Sequence, residues 1–213
     1  MKKIFDINCQ ACPRISDNLK QVKLKHPTYH CRPVPAFGSQ RASLLVVGLG
    51  PGMHGANATG RPFTGDFAGI LLYETLYEYG FASKSESVST DDGLKLIDCR
   101  ITNAVKCLPP DNKPLNEEVV TCNRYLAEEL KLDKHAKVIL ALGGIAHKSI
   151  LRACSLKQSD YPFSHNAAHK IDNKRILLDS YHCSRYNTQT KRLTTKMFRN
   201  VIRDARKMIY GKV

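Results

Sequence analysis

Cys9 and Cys12 form a C-x-x-C pair, and Cys107 and Cys122 follow far downstream with 14 residues between them. Four thiolates gathered this way suit a tetrahedral zinc site or an iron–sulfur cluster, because either centre takes four soft anionic ligands. Cys31, Cys99, Cys154 and Cys183 bring the total to eight. An isolated cysteine is most often a small buried hydrophobe, so spacing alone leaves both centres open. A second concentration of chemistry is VVGLGPGMHGANATGRPFTGD, Val46 to Asp66. It has neither the G-x-x-x-x-G-K-[ST] nor the G-x-G-x-x-G spacing, which disfavours a nucleotide-phosphate cradle. It reads instead as a loop whose glycines let the backbone approach a ligand closely. Phe63 can stack on a flat ring there or fill a core. Asp66 can act as a carboxylate, as a helix N-cap, or as both.

These groups need a scaffold. SLLVVGLG is a short apolar run ended by glycine, the pattern of a strand buried on both faces. After Asp66 the period changes: Phe67, Ile70, Leu71 and Tyr77 share one side of a helical projection, and Gly80 stands where a helix would stop. LIDCRITNAVKC reads as a second strand, VILALGG as a third followed by a helix from about Ile145, and RILLDSYH as a fourth. Strands alternating with helices predict an α/β sandwich with a four-stranded, mainly parallel sheet, whose ligands bind at the carboxyl ends of its strands. The glycine loop lies at such an end. SKSESVSTDDG reads as a surface loop. The final helix, TTKMFRNVIRDARKMI, puts Met197, Val201, Ala205 and Met208 on one face and Arg199, Arg203, Arg206 and Lys207 on the other.

A chain of 213 residues can bury one sizeable core, which predicts a single domain over residues 1–213. No run approaches the roughly 18 apolar residues of a membrane span. MKKIFDINCQACPRI has too short an apolar stretch for a signal peptide, so a cytoplasmic protein without membrane contact is expected. A reducing cytosol disfavours a disulfide framework. Lys plus Arg total 33 against 19 Asp plus Glu, a net charge of +14 that argues for a polyanionic partner, nucleic acid first.

GLGPGMHGANATGRPFTGD, with Ala68 and Gly69 close behind, resembles the first motif of the uracil-DNA glycosylase superfamily, in particular of its family 5, the type B enzymes of prokaryotes. ITNAVKCLPPDNKP, Ile101 to Pro114, resembles the strand that carries the base-reading asparagine and a cluster cysteine. SYHCSRYNTQTKRLT, Ser180 to Thr194, resembles the second motif, and CQAC and Cys122 fall where the family has its other cluster cysteines. The resemblance covers nearly the whole chain. It implies a three-layer α/β/α sandwich and a [4Fe–4S] cluster on Cys9, Cys12, Cys107 and Cys122, with an N-terminal segment contributing the first two ligands. It also implies a monomeric, monofunctional enzyme of base-excision repair. Such an enzyme flips uracil, or other deaminated bases such as hypoxanthine, out of DNA and hydrolyses the N-glycosidic bond. The alternative beside it is a non-catalytic descendant that binds lesions or DNA and keeps the cluster.

By the same resemblance, Phe63 would stack on the extruded base and Asn103 would present its amide to the polar edge of uracil. Backbone N–H groups around Gly48, Gly50 and Gly52 would hold the base's oxygen. His182 would donate toward uracil O2, and Asp66 would stabilise the oxocarbenium or orient the attacking water. The loop from Ser184 to Thr194 would meet the duplex through Arg185, Asn187, Gln189, Lys191 and Arg192. The chain departs from the family pattern at Gly50, Met53 and Ala58, the last in place of an arginine. In the second motif Cys183 and Lys191 stand where the family has the proline of HPS and the glycine of TG. Losing the proline relaxes the backbone after His182.

Overall fold

The structure is a computed structural model and describes residues 5–211. Residues 1–4, at the head of the stretch read for a leader, and residues 212–213 lie outside the described residues. The four apolar runs become β2 (Leu44–Gly48), β3 (Cys99–Asn103), β4 (Val138–Leu142) and β6 (Ile176–Ser180). They pair in parallel in the order β3-β2-β4-β6. Two further strands, β1 (Phe37–Gly38) and β5 (Ala168–Lys170), pair antiparallel with β3 and β6, so the sheet has six strands rather than four. Strands of two and three residues are too short to show an alternating pattern in sequence, which is why the reading of the chain missed them.

Every residue of β2 and β4 is buried. Leu44, Val46, Val138 and Leu140 face a core shared with α3 (Phe67–Glu78) and α7 (Thr195–Tyr210). Leu45, Val47, Ile139 and Ala141 face the opposite core, under α4 (Asn116–Leu132) and α5 (Gly144–Ala153). Helices on both sheet faces account for the uninterrupted apolar runs. A third cluster joins α1 (Pro13–Lys25), through Ile15, Leu19 and Val22, to the cysteine-bearing segments. The single turns α2 (Ala56–Thr59) and α6 (Arg185–Gln189) lie within loops. Among the described residues no helix is long and apolar enough to cross a membrane.

Two helices present faces other than those the periodicity suggests. In α3, Ile70 and Tyr77 are exposed, at 62% and 53%, and the core contacts come from Leu71, Leu72, Tyr73 and Leu76. The helix is turned because Gly69 sits directly beneath the preceding loop: a Cβ on it would lie 1.9 Å from the Phe63 carbonyl oxygen. In α7 the buried stripe is Phe198, Val201, Ile202, Ala205 and Ile209, with Met197 and Met208 only at its margin. Arg199 does not simply face solvent but pairs with Glu78 of α3 at 2.7 Å.

The chain leaves β2 for a helix on one face and leaves the neighbouring β4 for a helix on the other. Diverging connections of this kind open a crevice at the carboxyl ends of the two strands.

Candidate active site

The crevice is a cavity of about 500 Å³ walled by the loops that follow all four parallel strands. Gly50, Gly52, Phe63 and Asp66 come from the loop after β2, and Asn112 from the loop after β3. Gly143 and Gly144 open α5 at its floor, so the positive end of that helix faces the cavity. Tyr181, His182, Asn187 and Arg192 come from the loop after β6.

Phe63 has φ +55°, a backbone conformation that costs a bulky residue roughly 1–2 kcal/mol and persists only where its surroundings impose it. Those surroundings are specific. Gly48 ends β2 against the ring: a Cβ there would stand 2.5 Å from Phe63 Cζ and 2.5 Å from Asn103 Oδ1. The Tyr73 hydroxyl donates to the Pro62 carbonyl at 2.9 Å. Arg61 Nε donates to Thr64 Oγ1 at 2.9 Å, and its Nη2 reaches Ser87 Oγ at 2.7 Å and the Asp92 carboxylate. Arg61 is buried and the Asp92 side chain is only 9% exposed, and Asp92 also accepts from the backbone N–H groups of Val88 and Leu94. Burial alone would raise the Asp92 pKa, but these donors, Arg61 first, hold it far below the usual carboxylate range. The polar stretch Ser83 to Gly93 is therefore a surface loop whose partly buried Asp92 carboxylate pins the glycine loop.

Asn103 is buried beside Phe63 rather than in the cavity lining, and its Oδ1 has no hydrogen-bond partner among the described residues. Asp66 caps α3, with Oδ1 accepting from the Gly69 N–H at 2.9 Å. Its Oδ2 turns toward Gly52 and Gly55, whose added Cβ atoms would lie 3.3 and 2.4 Å from it. Burial raises the Asp66 pKa, opposed by the Gly69 and Ala68 amides. The His182 ring stacks on Phe63 at 5.9 Å and 27°, and its Nδ1 has no protein partner among the described residues. Burial lowers the His182 pKa to about 4, so the ring is neutral at neutral pH.

The second-motif loop is held differently. Asn187 Nδ2 donates to the His182 carbonyl at 2.8 Å, and Ser184 caps α6. Arg185 lies over the Phe67 ring at 5.1 Å and Arg192 over the Tyr181 ring at 4.8 Å. Arg185, Gln189 and Lys191 are exposed and stand outside the cavity lining, whereas Asn187 and Arg192 border it. Lys191 has φ +55°, the left-handed conformation that glycine would adopt at no cost. Cys183 is buried in the main core, where its thiol packs as a small apolar group.

Cys9, Cys12, Cys107 and Cys122 border one small cavity at the other end of the β3–α4 connection. Arg124 Nη2 donates to Cys9 Sγ at 3.3 Å and the Lys106 N–H to Cys122 Sγ at 3.2 Å. Burial pushes the Cys107 thiol up and the Cys122 thiol up to about 11, so neither ionises at neutral pH without positive charge beside it. Four sulfurs on one cavity with N–H groups aimed at two of them fit a thiolate-ligated iron–sulfur centre. Among the described residues no three His, Cys, Asp or Glu side chains converge on a single-ion position.

The family model of the uracil DNA glycosylase superfamily matches residues 35–206. The chain belongs to that superfamily. Within it, the chain is 44% identical over 205 residues to a type-5 uracil-DNA glycosylase of Thermus thermophilus, covering 94% of this chain and 93% of the relative. A type-5 uracil-DNA glycosylase of Mycobacterium leprae is 40% identical over 208 residues, covering 94% of this chain and 91% of that relative. A type-4 uracil-DNA glycosylase of Pyrobaculum aerophilum is 34% identical over 154 residues, 71% of this chain and 64% of that relative.

In this superfamily member, sequence reasoning named Phe63, Asp66, His182, Gly50, Gly52, Asn187 and Arg192, which the fold brings to one cavity. It missed Asn112, Phe163 and Tyr181, which line the same cavity. Asp111 and Asn112 have φ +55° and +56°, and the run Pro109-Pro110-Asp111-Asn112, all turn-forming residue types, was the local signal of a turn there.

Proposed function

We propose that this chain is a monofunctional uracil-DNA glycosylase, which extrudes uracil from DNA and hydrolyses its N-glycosidic bond. The observation that carries the reading is the convergence of Phe63, Asp66 and His182 on one cavity at the strand ends, in a chain of this superfamily. Hydrolysis separates charge into an anionic base and a cationic sugar, so fixed groups matched to both supply most of the rate. Phe63 covers the face of the extruded base, a contact worth roughly 1–3 kcal/mol. Asn103, with its unpartnered Oδ1 beside that ring, reads the polar edge of the base. The amides of Gly50 and Gly52, which line the cavity, receive the base's oxygen, whereas Gly48 is buried in β2 outside the lining. Neutral His182 donates toward uracil O2 without first losing a proton. Asp66, fixed through Oδ1 and open at Oδ2, stabilises the oxocarbenium or orients water.

Arg185, Lys191 and Arg192 contact phosphates, and Asn187 and Gln189 stand near the gap left by the extruded nucleotide. Other deaminated bases such as hypoxanthine are further substrates of the same site. Cys9, Cys12, Cys107 and Cys122 hold a [4Fe–4S] cluster, which ties the N-terminal segment to β3 and α4 and takes no part in the hydrolysis. The purified protein is accordingly expected to be brown, with about four irons per chain.

The test is incubation with an oligonucleotide carrying one uracil opposite guanine or adenine, followed by alkali. Strand scission at the uracil is expected. Tight binding with no abasic sites would instead support the non-catalytic reading.

A further inference from the structure

A buried polar knot lies behind the cavity wall. His147 of α5 is 2% exposed and Asp179 of β6 is wholly buried. His147 Nδ1 stands 2.8 Å from Asp179 Oδ1, and Nε2 stands 2.9 Å from the Tyr161 carbonyl oxygen. A carbonyl oxygen only accepts, so Nε2 carries a hydrogen. The Nδ1–Oδ1 contact needs a second hydrogen, which lies on the ring because an imidazole is a stronger base than a carboxylate. The pair therefore holds one proton more than a neutral imidazole beside a carboxylate. Without it two lone pairs would face each other in a water-poor interior, where such repulsion is strong. Among the described residues, the other titratable groups facing the knot are His169 of β5, whose Nε2 lies 3.5 Å from Asp179 Oδ2, and Tyr161, whose ring packs edge-on against His169 at 5.8 Å. Among the described residues, the ion-pair partners of Asp179 are these two histidines.

What the knot secures is the loop of residues 161–167. Asp179 continues the grip through its backbone: its N–H donates to the Ala167 carbonyl at 2.9 Å, and its carbonyl accepts from the Asn166 N–H at 2.8 Å. Phe163 packs edge-on against His147 at 5.5 Å and lines the cavity. Tyr181, which also lines the cavity, donates its N–H to His165 Nδ1 at 3.2 Å.

We infer that His147 and Asp179 are positioning residues, and that the proton shared between them holds the 161–167 loop so that Phe163 and Tyr181 form a wall of the base pocket. The knot stands on its own geometry, and only the identity of the base rests on the glycosylase reading.

The test combines nitrogen-15 NMR of the histidine-labelled full chain at neutral pH with steady-state excision of uracil from a duplex. Two hydrogen-bonded ring N–H signals are expected for His147, assigned by their disappearance in His147→Gln. His147→Ala is expected to raise KM about tenfold with kcat changed less than about threefold, the signature of lost ground-state positioning. Asp179→Asn can donate its amide to a neutral ring that keeps Nε2–H, so it should show one ring N–H signal and restore KM to within about twofold of wild type. A single ring N–H in the wild type would overturn the inference, as would an unchanged KM in His147→Ala. Where that variant does not fold, His147→Gln carries the same kinetic expectation. Wild-type protein that leaves uracil in place would refute the glycosylase reading, while the N–H count would still decide the knot.

Discussion

The loop after β2 and the loop after β6 meet at one cavity, yet the first is held from within by buried charge and the second leans on rings at the surface. Between Gly48 and Asp66 the backbone is clamped by the Arg61–Asp92 pair, the Tyr73 hydroxyl and a helix cap, with Phe63 forced into a left-handed conformation. Between Ser184 and Leu193 the cations Arg185 and Arg192 rest on aromatic faces and Lys191 stands free in solvent. A base must be met by groups already in position, because reorganisation during reaction would cost rate. A duplex is gripped through phosphates, where charge matters more than exact placement. Rigidity is concentrated where chemistry needs it.

Breaking the clamp should have the largest effect. Asp92→Ala leaves the Arg61 guanidinium buried and unpaired, with an expected loss of about 3–5 kcal/mol in urea unfolding. Arg192→Ala, on the exposed loop, should stay within about 0.5 kcal/mol of wild type in the same measurement. Equal losses in the two variants would erase the contrast.

Gly48→Ala tests the clamp's purpose without touching its charges. The new Cβ would strike both Asn103 Oδ1 and the Phe63 ring, so single-turnover uracil excision should fall on the order of 100-fold while the far-ultraviolet circular dichroism stays native. A wild-type rate would mean that Phe63 does not hold the base.

His182 lets pH probe the cavity. Its pKa is lowered to about 4 in the folded chain against an ordinary value near 6.5, so the unfolded chain binds more protons in between. The stability carried by the neutral ring is complete above about pH 6.5 and is lost as pH falls toward 4. By pH 5 the loss should be roughly 1–2 kcal/mol, read from urea midpoints, and smaller in His182→Asn. A midpoint equally flat in both proteins would mean that the ring is not buried neutral.

The smallest effect sharpens the picture of the exposed loop. Lys191 carries a positive φ where glycine would be unstrained, so Lys191→Gly should stabilise the chain by about 1 kcal/mol. The same change should lower the salt slope of duplex binding by about 0.9, since one phosphate contact is gone. Gain in stability with an unchanged slope would remove Lys191 from the DNA interface.

Much of the scaffold is legible in the chain because its signals are local. The apolar runs around Leu45, Ile101, Ile139 and Leu178 mark strands buried on both faces, and such runs need no distant partner to be recognised. Asp66 as a cap and Gly80 after the helix act within one turn of themselves. Helix faces were less legible, since which side of α3 meets the sheet depends on Gly69 passing beneath Phe63, a contact made only after the loop has folded.

The sequence by itself determined the four buried strands, the helices after Asp66, after β4 and at the end of the chain, the glycine loop at a strand end, the excess of positive charge and the cysteine spacing, but not β1, β5, α1 or α4. Each feature it determined is written in neighbouring residues or in composition. Only the tertiary structure decided that Asp92 pins Arg61 from 31 positions away, that His147 meets Asp179 across 32, and that Asn112, Phe163 and Tyr181 share a cavity with Phe63. Those pairings follow from how the sheet orders its strands and how far each loop reaches back, and no local pattern of residue types encodes either.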